Sequence, residues 1–189
     1  MNEKISQILF ENLTGSGRKQ ILHITELSTP LGPMIACGNE EGICLLEFTD
    51  RKLLEDQFRT LTRLMNATFI HGTKKNIEIL QEQLDEYFEG RRKEFTVPLC
   101  IPGTEFQKAV WNELRKIPYG STCSYRQQAA ALNKPKSVRA VAHANGMNRI
   151  AIVIPCHRVI GEDGKFTGYS GGIERKKWLI DFERRNIKK

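Results

Sequence analysis

Apolar runs dominate residues 20–48. The stretch MIACGNEEGICLLEF places two of them on either side of Gly38-Asn39-Glu40-Glu41-Gly42, a pattern that predicts two strands joined by a hairpin. The period then lengthens. Leu53, Leu54, Phe58, Leu61 and Met65, followed by Ile77, Leu80, Leu84 and Phe88, recur at spacings of three and four, which predicts two amphipathic helices. ATFI between them reads as a strand. Glu78, Glu82, Asp85, Glu86 and Glu89 read as the solvated face of the second helix and are assigned no function. The first part of the chain is therefore expected to be a small α/β unit.

Pro98, Pro102 and Gly103 in FTVPLCIPGT interrupt these patterns, and a domain boundary is placed there. The expected division is an N-terminal α/β domain over residues 1–97 and a mostly α-helical domain over residues 98–189. In the second part, Thr104-Glu105-Phe106-Gln107 is a capping box opening a helix that carries Phe106, Val110, Trp111 and Leu114 on one side. Ser124-Tyr125-Arg126-Gln127 repeats the signature before QAAAL. After the turn NKPKS, a helix over residues 138–144 directs Val138, Val141 and Ala142 inward and leaves Arg139, Ala140 and His143 outward. Two short helices joined by a tight polar turn form a helix-turn-helix pattern, with Lys134 and Lys136 preceding the second.

Composition narrows the class. The chain has 189 residues, 40% hydrophobic and 27% charged, which suits a globular fold, and lacks the roughly 18 uninterrupted apolar residues of a membrane span. Glu3, Lys4 and Glu11 stand where a secretory signal needs a basic start and an apolar run, so a cytoplasmic location is expected. Five cysteines, an odd number without a C-x-x-C pair, read as free thiols. Residues 1–99 hold 12 Lys and Arg against 15 Asp and Glu, whereas residues 100–189 hold 17 against 7. Such asymmetry points to a polyanion against the second part.

The candidate chemistry lies in NRIAIVIPCHRVIGEDGKFTGYSGG. The apolar run over residues 150–154 reads as a buried strand stopped by Pro155, which delivers Cys156 to a bend facing a cleft. A nucleophilic cysteine must be a thiolate, and His157, Arg158 or backbone N–H groups are the candidates to favour that form. A buried structural cysteine is the alternative, and it is the reading given to Cys37, Cys44, Cys100 and Cys123.

Ile154-Pro155-Cys156-His157-Arg158-Val159, with Asn148 before it and Tyr169-Ser170-Gly171-Gly172 after it, closely resembles the O6-alkylguanine-DNA alkyltransferases. The resemblance is strong over residues 98–185. It implies a DNA repair protein that flips an O6-alkylated guanine, and as a second substrate an O4-alkylated thymine, out of duplex DNA. One alkyl group then passes irreversibly to its own cysteine, without a cofactor. By that resemblance Cys156 is the acceptor, His157 the general base acting through a water, and Glu183 the acid that orients the histidine. Asn148 bonds the backbone at the bend. Tyr125 contacts the phosphate of the flipped nucleotide and protonates the departing guanine. Arg139 enters the base stack, and Lys136, Ala140 and His143 join it in DNA binding through the minor groove. Tyr169 and Ser170 close over the alkylated base. A monomer without a metal is expected: His23, Cys37, Cys44 and His71 have no convincing ligand spacing. Arg149 stands where many members have proline, and Ala142-His143 where a glycine is common nearby. The competing classes are a non-catalytic relative, which Cys156 argues against, a cysteine hydrolase, and a transcriptional regulator, which would carry a further sensor domain.

Overall fold

The computed structural model describes residues 19–187, so the reading of residues 1–12 lies outside it. The chain forms two compact units: the residues up to Asp85 with Thr96–Pro102, and Glu86–Phe95 with the residues from Gly103 onward. The fold is α/β, with a sheet and helices in the first unit and mostly helices in the second.

In the first unit, β1 (Gln20–Leu27), β2 (Met34–Asn39), β3 (Gly42–Phe48) and β4 (Ala67–His71) form a sheet of order β3-β2-β1-β4. The hairpin is where the sequence places it: β2 and β3 pair antiparallel around Glu40-Glu41, with an irregularity between Cys37 and Gly38. β4 pairs parallel to β1, which needs a crossover, and α1 (Leu54–Met65) lies on the connection. Leu54, Phe58 and Leu61 from α1 join Leu22, Ile24, Ile35, Leu45 and Phe69 in one buried cluster, and Phe58 meets Phe69 edge-on at 5.1 Å. Leu53 stands at the N-cap position of this helix, without a capping hydrogen bond from its side chain, and is exposed. The second predicted helix is α2 (Lys75–Phe88), with Ile77, Leu80 and Leu84 buried.

The second unit contains α3 (Glu105–Leu114), α4 (Tyr125–Ala131), α5 (Val138–Gly146) and α6 (Ile173–Arg185). Both capping boxes are formed: the Thr104 and Ser124 side chains accept from the backbone N–H groups of Gln107 and Gln127, whose side chains accept in return. Trp111 Nε1 donates to Ala144 O at 2.8 Å, tying α3 to α5, and Gln128 and Asn145 bond each other in the buried seam between α4 and α5. α5 runs two residues beyond the predicted end. The strands β5 (Cys123–Ser124) and β6 (Val159–Ile160) pair in parallel and bring the start of α4 beside the segment that follows the candidate nucleophile. No helix among the described residues is long and apolar enough to cross a membrane.

The predicted strand at 150–154 is not a strand. The run is buried, but it coils into consecutive turns: Val153 N–H bonds Ala151 O, Ile154 N–H bonds Ile150 O, and Ile152 lies at φ 70°. A short continuous apolar run shows only that residues are buried, and here the backbone groups find partners within the turn instead of across a ladder.

Candidate active site

The turn over residues 148–155 is held from its centre by one amide. Asn148 Nδ2 donates to Ile154 O at 2.8 Å, and its Oδ1 accepts from Ile150 N–H at 3.0 Å. The same Nδ2 stands 3.2 Å from Cys156 Sγ, so a donor faces the sulfur. Pro155 ends the turn, and Cys156–Arg158 form one turn of 3₁₀ helix. This local geometry leaves Cys156 buried at 6% exposure and directs His157, fully buried, toward α6.

Glu183 organises what lies behind the thiol. Sequence spacing alone favours an exposed salt bridge at the edge of the α6 stripe, yet the carboxylate is 1% exposed. His157 Nε2 and the Arg158 NH2 group each approach its Oε1 at 2.9 Å, and the Tyr87 hydroxyl donates to the same oxygen at 2.8 Å. Arg158 Nε and Gly120 N–H donate to Oε2, both at 2.9 Å. Arg158 thus spends its hydrogen bonds on Glu183 and Ile117 O.

A carboxylate only accepts, so the proton of neutral His157 is on Nε2. Nδ1 is then a lone-pair acceptor, and it has no hydrogen-bond partner among the described residues. Burial holds the His157 pKa below its ordinary value. Glu183 opposes this, while the positive charges of Arg158 and Lys176 reinforce it. His157 and Arg158 hold the Glu183 carboxyl well below the usual carboxylate range, against the effect of burial. The imidazole is therefore neutral and the carboxylate ionised at neutral pH. That is the state in which a histidine accepts a proton and an acid orients it.

The front of the site is closed by the loop after β6. Tyr125, first residue of α4, donates its hydroxyl to Thr167 O at 3.2 Å, and Gly168 Cα lies so close that a Cβ there would sit 3.0 Å from the phenol oxygen. Gly168 also has φ 61°, a left-handed backbone that favours glycine, so any side chain there would be strained and would crowd the phenol. Tyr169 is 8% exposed and Ser170 half-buried next to it. Burial and the Cys156 charge raise the Tyr125 pKa, so the phenol keeps its proton.

Cys156, His157, Glu183 and Asn148 are thus joined by bonds or adjacency, and Tyr125 meets the loop that carries Tyr169 and Ser170. Lys136, Arg139, Ala140 and His143 are exposed, on α5 or the turn before it, and form a separate surface. Arg149 is 3% exposed, its guanidinium 5.5 Å from the centre of the Trp111 ring, so the residue that departs from the common proline packs against α3. Sequence reasoning missed Tyr87, Gly120 and Lys176. The first two lie far from the motif in sequence and leave no local signal. Lys176 does leave one, because Ile173, Lys176, Ile180 and Glu183 recur at spacings of three and four, which puts two charged residues inside a buried stripe.

Residues 105–185 match the family described as 6-O-methylguanine DNA methyltransferase, DNA binding domain, and residues 22–101 match its ribonuclease-like domain. A methylated-DNA–protein-cysteine methyltransferase of Methanosarcina barkeri is 41% identical, covering 86% of this chain and 97% of the relative. Among solved structures, the Mycobacterium tuberculosis O6-methylguanine methyltransferase superposes with a TM-score of 0.75 at 38% identity, over 88% of this chain and 94% of that one. A structure of the mycobacterial protein in complex with DNA gives 0.73 at 36% identity, with the same coverage of both chains. With a cysteine, a neutral imidazole and a buried carboxylate lined up in the matched domain, the chain belongs to the 6-O-methylguanine DNA methyltransferase family and carries its methylated-DNA–protein-cysteine methyltransferase activity.

Proposed function

We propose that this DNA repair protein flips an O6-alkylguanine from duplex DNA and transfers the alkyl group once, irreversibly, to Cys156. The reading is carried by the locked tautomer of His157: Nε2–H is held on Glu183, so the acceptor nitrogen Nδ1 is free to take the thiol proton through a bridging water. The resulting thiolate, facing the Asn148 amide, attacks the alkyl carbon. The S–C bond forms as the C–O6 bond breaks, and its electron pair leaves on the guanine, which takes up a proton to become ordinary guanine. Tyr125 is the donor of suitable type beside the site. A thioether has no hydrolytic exit, so the protein is consumed. An O4-alkylthymine offers the same leaving-group chemistry in a smaller ring.

On the DNA side, α5 enters the minor groove, where its small residues permit close approach without base reading. Arg139 fills the space of the extruded base, and Lys136 and His143 contact phosphate. The exposure of these residues supports this placement. The relative solved with DNA supports duplex DNA as the partner. The protein acts as a monomer in this scheme.

Peptide mass spectrometry after incubation with a duplex bearing one O6-methylguanine tests the reading. One methylene mass on the Cys156 peptide, saturating at one per molecule and absent in Cys156→Ser, is the expected result. Lesion binding without any adduct overturns it.

A further inference from the structure

Lys176 is fully buried, on the α6 stripe that also carries Glu183, and no ion pair joins it to a carboxylate among the described residues. Its ammonium donates to Val159 O and to Thr167 O, each at 2.6 Å, and lies 5.9 Å from the centre of the Tyr125 ring. Val159 follows the Cys156–Arg158 turn, and Thr167 begins the stretch leading to Tyr169 and Ser170. One side chain thus ties the strand behind the nucleophile to the loop in front of it. Thr167 O is shared with the Tyr125 hydroxyl, so the two side chains pin the same carbonyl.

An unpaired ammonium is an expensive group to bury. A methionine of similar length would fill the same space without that cost, yet it would take this donor from Val159 O and leave Thr167 O with the Tyr125 hydroxyl as its remaining side-chain donor. The acidic group whose charge acts on Lys176 is Cys156, and the attraction is reciprocal: the ammonium favours the sulfur as an anion.

From this geometry we propose that Lys176 is a positioning residue for alkyl transfer, clamping the loop of Tyr169 and Ser170 to Val159 while presenting a fixed positive charge to the thiolate. The proposal rests on Cys156 being the alkyl acceptor. It adds that closing the loop and stabilising the thiolate are performed by one group, so the nucleophile is favoured where the base is held.

The test compares wild type, Lys176→Met and Lys176→Arg, each folded by thermal melt. Three readouts are taken: affinity for a duplex bearing one O6-methylguanine, the first-order rate of methyl appearance on the Cys156 peptide, and the rate of Cys156 carbamidomethylation by iodoacetamide. For Lys176→Met the expected result is affinity within about threefold of wild type, transfer about thirtyfold slower and iodoacetamide reaction about fivefold slower. Lys176→Arg, which keeps the charge and the donors, recovers transfer to within about tenfold of wild type. If Lys176→Met unfolds, Lys176→Gln is read against the same expectations, since it lacks the charge and can reach at most one of the carbonyls. A folded, uncharged variant that transfers within about threefold of wild type overturns the proposal, as does a loss explained wholly by weaker DNA binding. Absence of transfer in the wild type refutes the acceptor role of Cys156 itself, which separates the two failures.

Discussion

At the scale of single residues, one carboxylate carries most of the electrostatics. Five donors converge on Glu183, and three of them belong to two side chains, His157 and Arg158, that are positive or can become so. Glu183→Gln keeps the shape but leaves the Arg158 guanidinium uncompensated in the interior. The expected cost is about 3 kcal/mol in chemical denaturation, with transfer about a hundredfold slower in single-turnover quench, because an amide that donates as well as accepts no longer enforces one His157 tautomer. Dependence on pH follows from the same groups. Both His157 and Glu183 have pKa values depressed by folding, so the unfolded chain binds their protons first and stability is lost on the acid side. The loss starts as pH falls below the ordinary histidine value near 6.5 and deepens below the ordinary carboxylate value near 4.5. Lys176 adds a slope at the other end: burial lowers its pKa from 10.5 to about 8, so its unfavourable contribution below 8 is relieved as pH rises toward 10.5. The melting temperature of wild type minus that of Lys176→Met should therefore become more positive between those values. A flat difference would mean that the ammonium is not desolvated.

Elements place these residues, and their local determinants make separate predictions. Tyr125 sits where it does because Ser124 caps α4 immediately after the β5 pairing. Ser124→Ala should cost about 1 kcal/mol and slow transfer without removing any group of the reaction, as seen by parallel denaturation and quench measurements. Asn133, at φ 56° in the turn between α4 and α5, accepts a left-handed backbone that glycine adopts freely. Asn133→Ala should destabilise by about 1 kcal/mol, and Asn133→Gly should not. The caps, the hairpin and the helix periods were legible in the sequence because each is written in neighbouring residues. The pairing of Cys156 with His157 was legible as a motif. The turn at 150–154 was not, since burial without alternation is compatible with any backbone, and its folding depends on Asn148 reaching forward across six residues to Ile154 O. The depth of Glu183 was hidden for a related reason. Its donors come from residues 87, 120, 157 and 158, which only the fold brings together.

Over the whole molecule, the excess of basic residues after position 99 sets how the protein meets DNA. If Lys134 and Lys136 each neutralise a phosphate, the logarithm of affinity should fall with the logarithm of salt concentration with a slope of about −2. The slope should be the same for undamaged and O6-methylguanine duplexes, because the backbone contacts are common to both. Lys136→Ala should weaken both by a similar factor and reduce the slope by about one. Arg139→Ala is a different case. In the proposed scheme it occupies the space of the extruded base, so its loss should slow transfer from duplex DNA far more than transfer from free O6-methylguanine, which needs no flipping. Fluorescence anisotropy across a salt series, with methyl transfer measured on both substrates, separates the two roles. Equal slowing on duplex and free base would place Arg139 in the support of the site rather than in the stack. A salt slope near zero would remove the basic surface around α5 as the DNA contact altogether.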